Sequence, residues 1–522
     1  MVLQIALLVV FFAVMIGVGV YCRRHATDVN GFVLGGRSVG PWLTAFAYGT
    51  SYFSAVIFVG YAGQFGWSFG TATTWVGLGN AFIGSLLAWA ILGRRTRIMT
   101  QTLDSRTMPD FFAKRYQSNA LKIVASMIVF IFLIPYTASL YNGLSSLFNM
   151  AFDLPYWVVI IIMAVLTGIY VIFGGYMATA INDFVQGIIM LAGIIAVIAA
   201  VLNTNGGLVE ATKTLSQVDA GNGQLGAFTS FFGPDPLGLL FVVILTSLGT
   251  WGLPQMVGKF YSIKNEDAVK KGTIISTIFA IVVAGGCYFI GGWGRLYADK
   301  IAFNPETGKP MFDTVVPTIL STLPNIIIAI VIVLVLAASM STLSSLVLTS
   351  SSTLTLDFII GKKKDTSEKK QIGIMRLFIV FFIAVSAIIA IVKDAHPGFT
   401  FIAQMMGVSW GALAGAFLAP FLYGLYWKKT TRASVWISFI WGVGVETFQL
   451  IYTLTGMSFS NSVLNYLFAS SVRSGAMTMI IGLIIVPVVS LITPKLKKED
   501  VDPCFVGFDE KVEVSAKRSL GD

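Results

Sequence analysis

A chain of 522 residues that is 56% hydrophobic and 11% charged, with a mean hydropathy of +0.81, does not read as a soluble domain. A net charge of +10 would suggest a nucleic-acid partner in a soluble protein, but here its distribution along the chain matters more. Two histidines near predicted helix ends (His25, His396) and three scattered cysteines (Cys22, Cys287, Cys504) offer no buried histidine base, zinc site or disulfide framework.

Apolar runs of about 20 residues recur along the whole length, as membrane-spanning helices require; the ten-residue alternation of a membrane barrel is not visible. Thirteen spans are expected, near 2–22, 41–68, 72–93, 121–149, 156–174, 178–202, 237–262, 272–294, 324–358, 372–392, 399–426, 432–453 and 474–493. The first lacks the basic start and small-residue cleavage site of a signal peptide and reads as a retained helix. With the N-terminus outside and the C-terminus inside, only Lys213, Arg295, Lys300, Lys309, Lys393 and Arg473 fall on the outer side. The other 29 of the 35 Lys and Arg lie inside, in clusters such as Arg94–Arg97, Lys362–Lys364 and Lys428–Lys429. The basic charge therefore sets topology, and no nucleic acid is needed to explain it.

Two spans are interrupted. The second carries Tyr48-Gly-Thr-Ser-Tyr-Phe-Ser54 at its middle, and the seventh carries Leu248-Gly-Thr-Trp-Gly-Leu-Pro254. Glycine loosens a helix, and Pro254 removes a backbone donor and obstructs the carbonyl four residues earlier. Freed carbonyls at membrane depth are tolerated only inside protein or along a lined cavity. Glycine and proline are common in membrane helices, so each break alone says little. Their placement five helices apart says more, because it puts them at matching places in two inverted halves, the pattern of a transporter's central site. The chain then divides into a peripheral helix and cytoplasmic loop (1–40), a first five-helix repeat (41–202) and an extracellular loop (203–236). A second, inverted repeat (237–427), two peripheral helices (428–493) and a short cytoplasmic tail (494–522) follow.

The ninth span is apolar until Leu336-Ala-Ala-Ser-Met-Ser-Thr-Leu-Ser-Ser-Leu346, where hydroxyls crowd in and continue through Thr349–Thr353. Ala338, Ser341, Thr342 and Ser345 share one helical face. That face suits either close helix packing or a row of neutral oxygen ligands. Asp183, just inside the sixth span, is either a helix-start cap or the partner of a cation. Glu446, deeper in the twelfth, reads as a packing or lipid-adjacent group.

Taken together, Phe32–Pro41, Phe173-Gly-Gly-Tyr176, Ile181-Asn-Asp-Phe-Val-Gln186, Gly252-Leu-Pro254 and Ala338–Ser345 resemble the sodium/solute symporter family, in family order from about residue 30 to 430. The resemblance implies an all-α integral membrane protein of about 13 helices, with an inverted five-helix repeat in a LeuT-like core. It also implies a sodium ion between the second and ninth spans. Carried over by position, the carbonyls of Thr50, Phe53 and Ala338 and the hydroxyls of Ser341 and Thr342 would hold it. Neutral oxygens suit a hard monovalent cation that must later leave. Asp183, Ser344 and Ser345, with Ser341, match a second sodium position of some relatives.

The resemblance is strongest to the bacterial branches that carry proline or pantothenate, and Arg115-Tyr-Gln-Ser118 and Gly252-Leu-Pro-Gln255 lean toward the second. The chain departs from the pattern at Tyr52, an Asp in proline transporters, and at Thr246 and Thr250, a Trp and a Tyr there. Pro135 stands where sialic-acid relatives carry an Arg. The solute pocket is therefore expected from Tyr52, Ser54, Thr250, Trp251 and Gln255, with Tyr136 and Gln404: aromatic walls with a few hydroxyls and amides. The implied activity is sodium-driven import of a small organic solute by alternating access, in the cell membrane. The expected partners are sodium, the solute and the bilayer, with no organic cofactor and no required protein partner. A passive channel or facilitator is the alternative, and it would need a continuous polar pore or charged rings. A membrane enzyme would need a buried acid/base or metal constellation, and a sensor would need an output domain.

Overall fold

The computed structural model describes residues 2–152, 155–221, 223–303, 308, 310–360, 366–394 and 402–508. Lys309, Lys362–Lys364, His396 and the last part of the expected tail lie outside them. Among the described residues the regular structure is helical, with only two isolated bridges, Val39 to Ile263 and Phe303 to Pro310. In chain order the elements that matter are α1 (Val2–Cys22), α2 (Pro41–Thr50) and α3, the run Val56–Thr102. They are followed by α4 (Asn119–Phe152), α5 (Tyr156–Thr204), α6 (Pro236–Leu248), α7 (Pro254–Ser262) and α8 (Glu266–Gly291). Then come α9 (Asn325–Thr353), α10 (Glu368–Asp394), α11 (Ile402–Tyr426), α12 (Arg432–Thr455) and α13 (Ser471–Ile492).

Among the described residues, ten helices are long and apolar enough to cross a membrane, or eleven with the bent pair α6–α7 counted as one span. The difference from thirteen lies in α3 and α5, of 47 and 49 residues. At 1.5 Å per residue each exceeds about 70 Å, more than twice the hydrocarbon thickness of a bilayer. Each also contains a glycine at positive φ, Gly70 (+62°) and Gly175 (+53°). A Cβ at Gly70 would sit 2.1 Å from the Phe228 carbonyl, and one at Gly175 would sit 2.7 Å from that of Phe32. At both points the backbone needs a residue without a side chain.

Helix contacts rest on small residues. Gly66 and Gly291 face each other so closely that a Cβ on Gly66 would lie 1.9 Å from the Gly291 carbonyl oxygen. Burial differs sharply between helices: of the most apolar 18-residue stretch, 78% is buried in α9 and 89% in α11, against 22% in α1 and 39% in α12 and α13. α9 is wrapped by α4, α5 and α10 and touches the end of α2. Its hydroxyls therefore face protein on nearly every side.

The basic loops do more than set topology. Arg95 and Arg115 donate to the carbonyls of Leu425, Gly424 and Trp427 at 3.0–3.1 Å, satisfying the last turn of α11 and opposing its dipole. Glu446 is fully buried between α12 and α13, with the hydroxyls of Ser474 and Thr478 at 3.3 and 3.5 Å. Of its two readings, packing fits and lipid adjacency does not.

Candidate functional site

α2 starts at Pro41, whose missing N–H costs nothing in a first turn. It ends at Thr50, after which the amides of Ser51, Tyr52 and Phe53 bond back to Ala47 and Gly49, and the ladder resumes on the Ser54 carbonyl. Between these, the Ala55 amide donates to Ser339 Oγ at 3.3 Å. The break turns the Thr50 and Phe53 carbonyls toward α9.

There the five oxygens expected around sodium come together. Ser341 Oγ lies 3.0 Å from both the Thr50 and the Ala338 carbonyls. Thr342 Oγ1 lies 3.1 Å from Thr50 O, 3.2 Å from Phe53 O and 3.1 Å from Ala338 O. All five residues are at most 2% exposed. Oxygens sharing a cation at about 2.4 Å stand about 3–3.5 Å apart, so the spacing fits a small hard ion. The proton count points the same way. Two hydroxyls supply two protons to three carbonyls, each with two lone pairs, so the cluster has a surplus of acceptors and no formal charge.

One turn further along α9, two of the residues matched to a second sodium, Asp183 and Ser345, flank a side chain that the sequence reading passed over. Lys259 Nζ donates to Ser345 Oγ at 3.0 Å and stands 3.6 Å from Asp183 Oδ2. It also lies over the Tyr176 ring, 5.3 Å from its centre. Asp183 is fully buried and Lys259 is 4% exposed. Ser345 Oγ also meets Ser51 Oγ at 2.7 Å, while Ser344 Oγ donates to the Ser341 carbonyl at 2.9 Å. Asp183 is therefore paired across helices rather than capping its own helix. Lys259 was legible as a lysine five residues past the breaking Pro254, yet by charge alone it counts as one more inner-side cation. Lys259, Gln255, Tyr176, Ser345, Thr349, Ser352 and Thr353 line a cavity of about 50 Å³ that reaches the Arg106–Met108 loop.

The expected solute residues separate into four places. Tyr52 and Tyr136 pack on Trp410 of α11, with ring centres 5.6 and 5.9 Å away. The Tyr136 hydroxyl approaches Ser54 Oγ and the Trp410 indole N–H. All three polar atoms are buried without a well-formed hydrogen bond. Trp410 was missed; its signal was a large aromatic in the small-residue run Gly407–Gly415. Thr250 and Trp251, by contrast, have committed their polar atoms. They donate to the carbonyls of Gly84 and Ile83 on α3 at 3.1 and 3.0 Å, tying the α6–α7 break to that helix. The Tyr52 hydroxyl likewise donates to the Thr246 carbonyl at 3.0 Å. Gln255 belongs to the Lys259 cavity, and its amide atoms have no partner there. Gln404 lines a different cavity of about 320 Å³, walled by Pro135, Ile388, Val408 and Leu450.

Comparison with known proteins gives this geometry a context. Residues 32–442 match the model of the sodium:solute symporter family. The osmoregulated proline transporter OpuE of Bacillus subtilis (strain 168) is 30% identical over 493 residues, 94% of each chain. A sodium/proline symporter of Staphylococcus aureus (strain NCTC 8325 / PS 47) is 31% identical over 437 residues, 82% of each. Among solved structures, a Na+-coupled sialic acid symporter in a substrate-bound outward-open state superposes with a TM-score of 0.70 at 18% identity. That match covers 95% of this chain and 99% of the other. The inward-facing form of Mhp1 gives 0.51 at 12% identity, over 89% and 94%. These two likenesses speak for the fold. With the family match spanning both broken helices and α9, the chain belongs to the sodium:solute symporter family and couples sodium to the transport of a small solute across a membrane.

Proposed function

We propose that the chain imports a small carboxylate-bearing organic solute, an amino acid such as proline or a pantothenate-like monocarboxylate, by alternating access. Sodium would sit in the cage of Thr50, Phe53, Ala338, Ser341 and Thr342. The observation that carries this reading is the five-oxygen cluster with two protons among three carbonyls, built where a broken helix meets a hydroxyl face. Because the cage spans two helices, sodium is held while α2 and α9 stay in contact and leaves when they part. In the cell membrane, thirteen crossings with the N-terminus outside and the C-terminus inside would place the Lys259 cavity on the cytoplasmic side.

The solute would lie against Tyr52, Tyr136 and Trp410, with Ser54 Oγ, Tyr136 OH and Trp410 Nε1 as unspent polar contacts. Thr250 and Trp251 shape the pocket from behind, through their hold on α3. Proline enters as a candidate from the names of the two relatives, although Tyr52, Thr246 and Thr250 depart from the proline-transporter pattern. Uptake into proteoliposomes under an imposed sodium gradient, screening proline, other amino acids, pantothenate and short carboxylates, tests the reading. One of these should accumulate above equilibrium only with the gradient present. Solute that merely equilibrates, with or without sodium, would sink it.

A further inference from the structure

We infer that the Lys259 ammonium is a tethered cation that permanently holds the Asp183–Ser345 position, so that one sodium ion, in the α2–α9 cage, drives each transport cycle. This rests on the cage reading proposed above. The Asp183 carboxylate and the Ser345 hydroxyl are the ligands a second sodium would need, and the ammonium stands at 3.6 and 3.0 Å from them. An ammonium asks for the same oxygen acceptors as sodium but cannot dissociate from the chain. The charge count agrees. Asp183 is the one carboxylate at this position and Lys259 already balances it, whereas a second sodium would add an unmatched buried charge.

The tethered charge is also linked to the cage. Ser345 follows Ser341 by one turn on the same face of α9, and its hydroxyl meets that of Ser51, the neighbour of Thr50. Lys259 comes from α7, beyond the α6–α7 break, which bends the span by 41°. A fixed cation from the second broken span therefore stands beside the cage, linked to it through the Ser345 and Ser51 hydroxyls, and sodium entering the cage meets a neighbour already neutralised by Asp183.

Equilibrium binding of sodium-22 to the purified full-length protein in detergent, at mildly alkaline pH, tests this without knowledge of the solute. Wild type should bind one ion per chain. Lys259→Ala and Lys259→Gln should each bind two, because the freed Asp183 and Ser345 regain a mobile cation, and Lys259→Arg should stay at one. Two ions on wild type would overturn the inference whether or not the variants fold. One ion on wild type and still one, at unchanged affinity, on both neutral variants would overturn it as well. Thr342→Ala separates the two readings. If it binds sodium as tightly as wild type, the cage assignment fails; if it alone loses affinity while the Lys259 variants stay at one ion, only the tethered-cation inference fails.

Discussion

Both interrupted spans free backbone carbonyls at membrane depth, but their hydrogen-bond balances differ. At the α2 break, the Thr50 and Phe53 carbonyls meet two hydroxyls that are already shared with Ala338, and acceptors outnumber protons. At the α6–α7 break the donors come from the break itself. Thr250 Oγ1 and Trp251 Nε1 bond outward to Gly84 and Ile83, and the Gly252 amide closes a turn on the Gly249 carbonyl. A cluster rich in lone pairs invites a cation, and a break whose donors are spent on the next helix acts as a pin. On the function proposed above, the interruption of a helix would serve as an ion seat at α2 and as a joint that positions α3 at α6–α7.

The sharpest way to break this contrast is to remove an oxygen from the seat. Thr342 touches three carbonyls, so Thr342→Ala should raise the sodium concentration for half-maximal uptake by about tenfold to a hundredfold, the equivalent of about 1.5–3 kcal/mol for a charge-assisted contact. Ser341→Ala, which loses two contacts rather than three, should fall near the lower end. Sodium dependence that stays unchanged in both would mean that the hydroxyl face is packing after all.

The pocket and the pin should respond in different parameters. Tyr136→Phe removes an unspent hydroxyl facing Ser54 and Trp410, so it should raise the solute KM by about fivefold, or about 1 kcal/mol, and leave sodium activation alone. Trp251→Phe keeps an aromatic ring, though a smaller one, and loses the bond to Ile83. It should lower the maximal uptake rate a few-fold with little change in either KM, as expected for a joint that positions a helix rather than a group that binds. A sodium shift in either variant would mean that the two breaks are not separable.

Much of this was readable in the sequence because the signals are local. Apolar runs, glycine and proline at two breaks, and hydroxyls at 3–4 residue spacing all report on a single helix; they marked the α2 break and the Ala338–Ser345 face, and the family resemblance then singled out Thr50, Phe53, Ala338, Ser341 and Thr342. What was not readable depends on which helices face each other. Lys259 meets Asp183 across 76 positions of sequence, and nothing in either helix names the other. Trp410 reaches the pocket only because Gly249 leaves room, a Cβ there falling 2.8 Å from the indole ring. Thr250 and Trp251 looked like solute contacts because they are polar and sit at a break. Their polar atoms bond to carbonyls on α3, and Gln255 and Gln404 line cavities of their own, pairings that no single helix announces.

The smallest expected effect tests how far the ion seat extends. Ser51 lies within the α2 break beside Thr50, but its hydroxyl donates to the Ala47 carbonyl at 2.5 Å and meets Ser345 at 2.7 Å, outside the five-oxygen cluster. Ser51→Ala removes a contact outside the cage while Ser345 keeps the bond it already accepts from Lys259, so sodium activation should stay within about twofold of wild type, a few tenths of a kcal/mol. A rise as large as that of Thr342→Ala would extend the seat through Ser345 toward Lys259. The cage and the tethered ammonium would then be one cation site, and the division between the first and second positions would disappear.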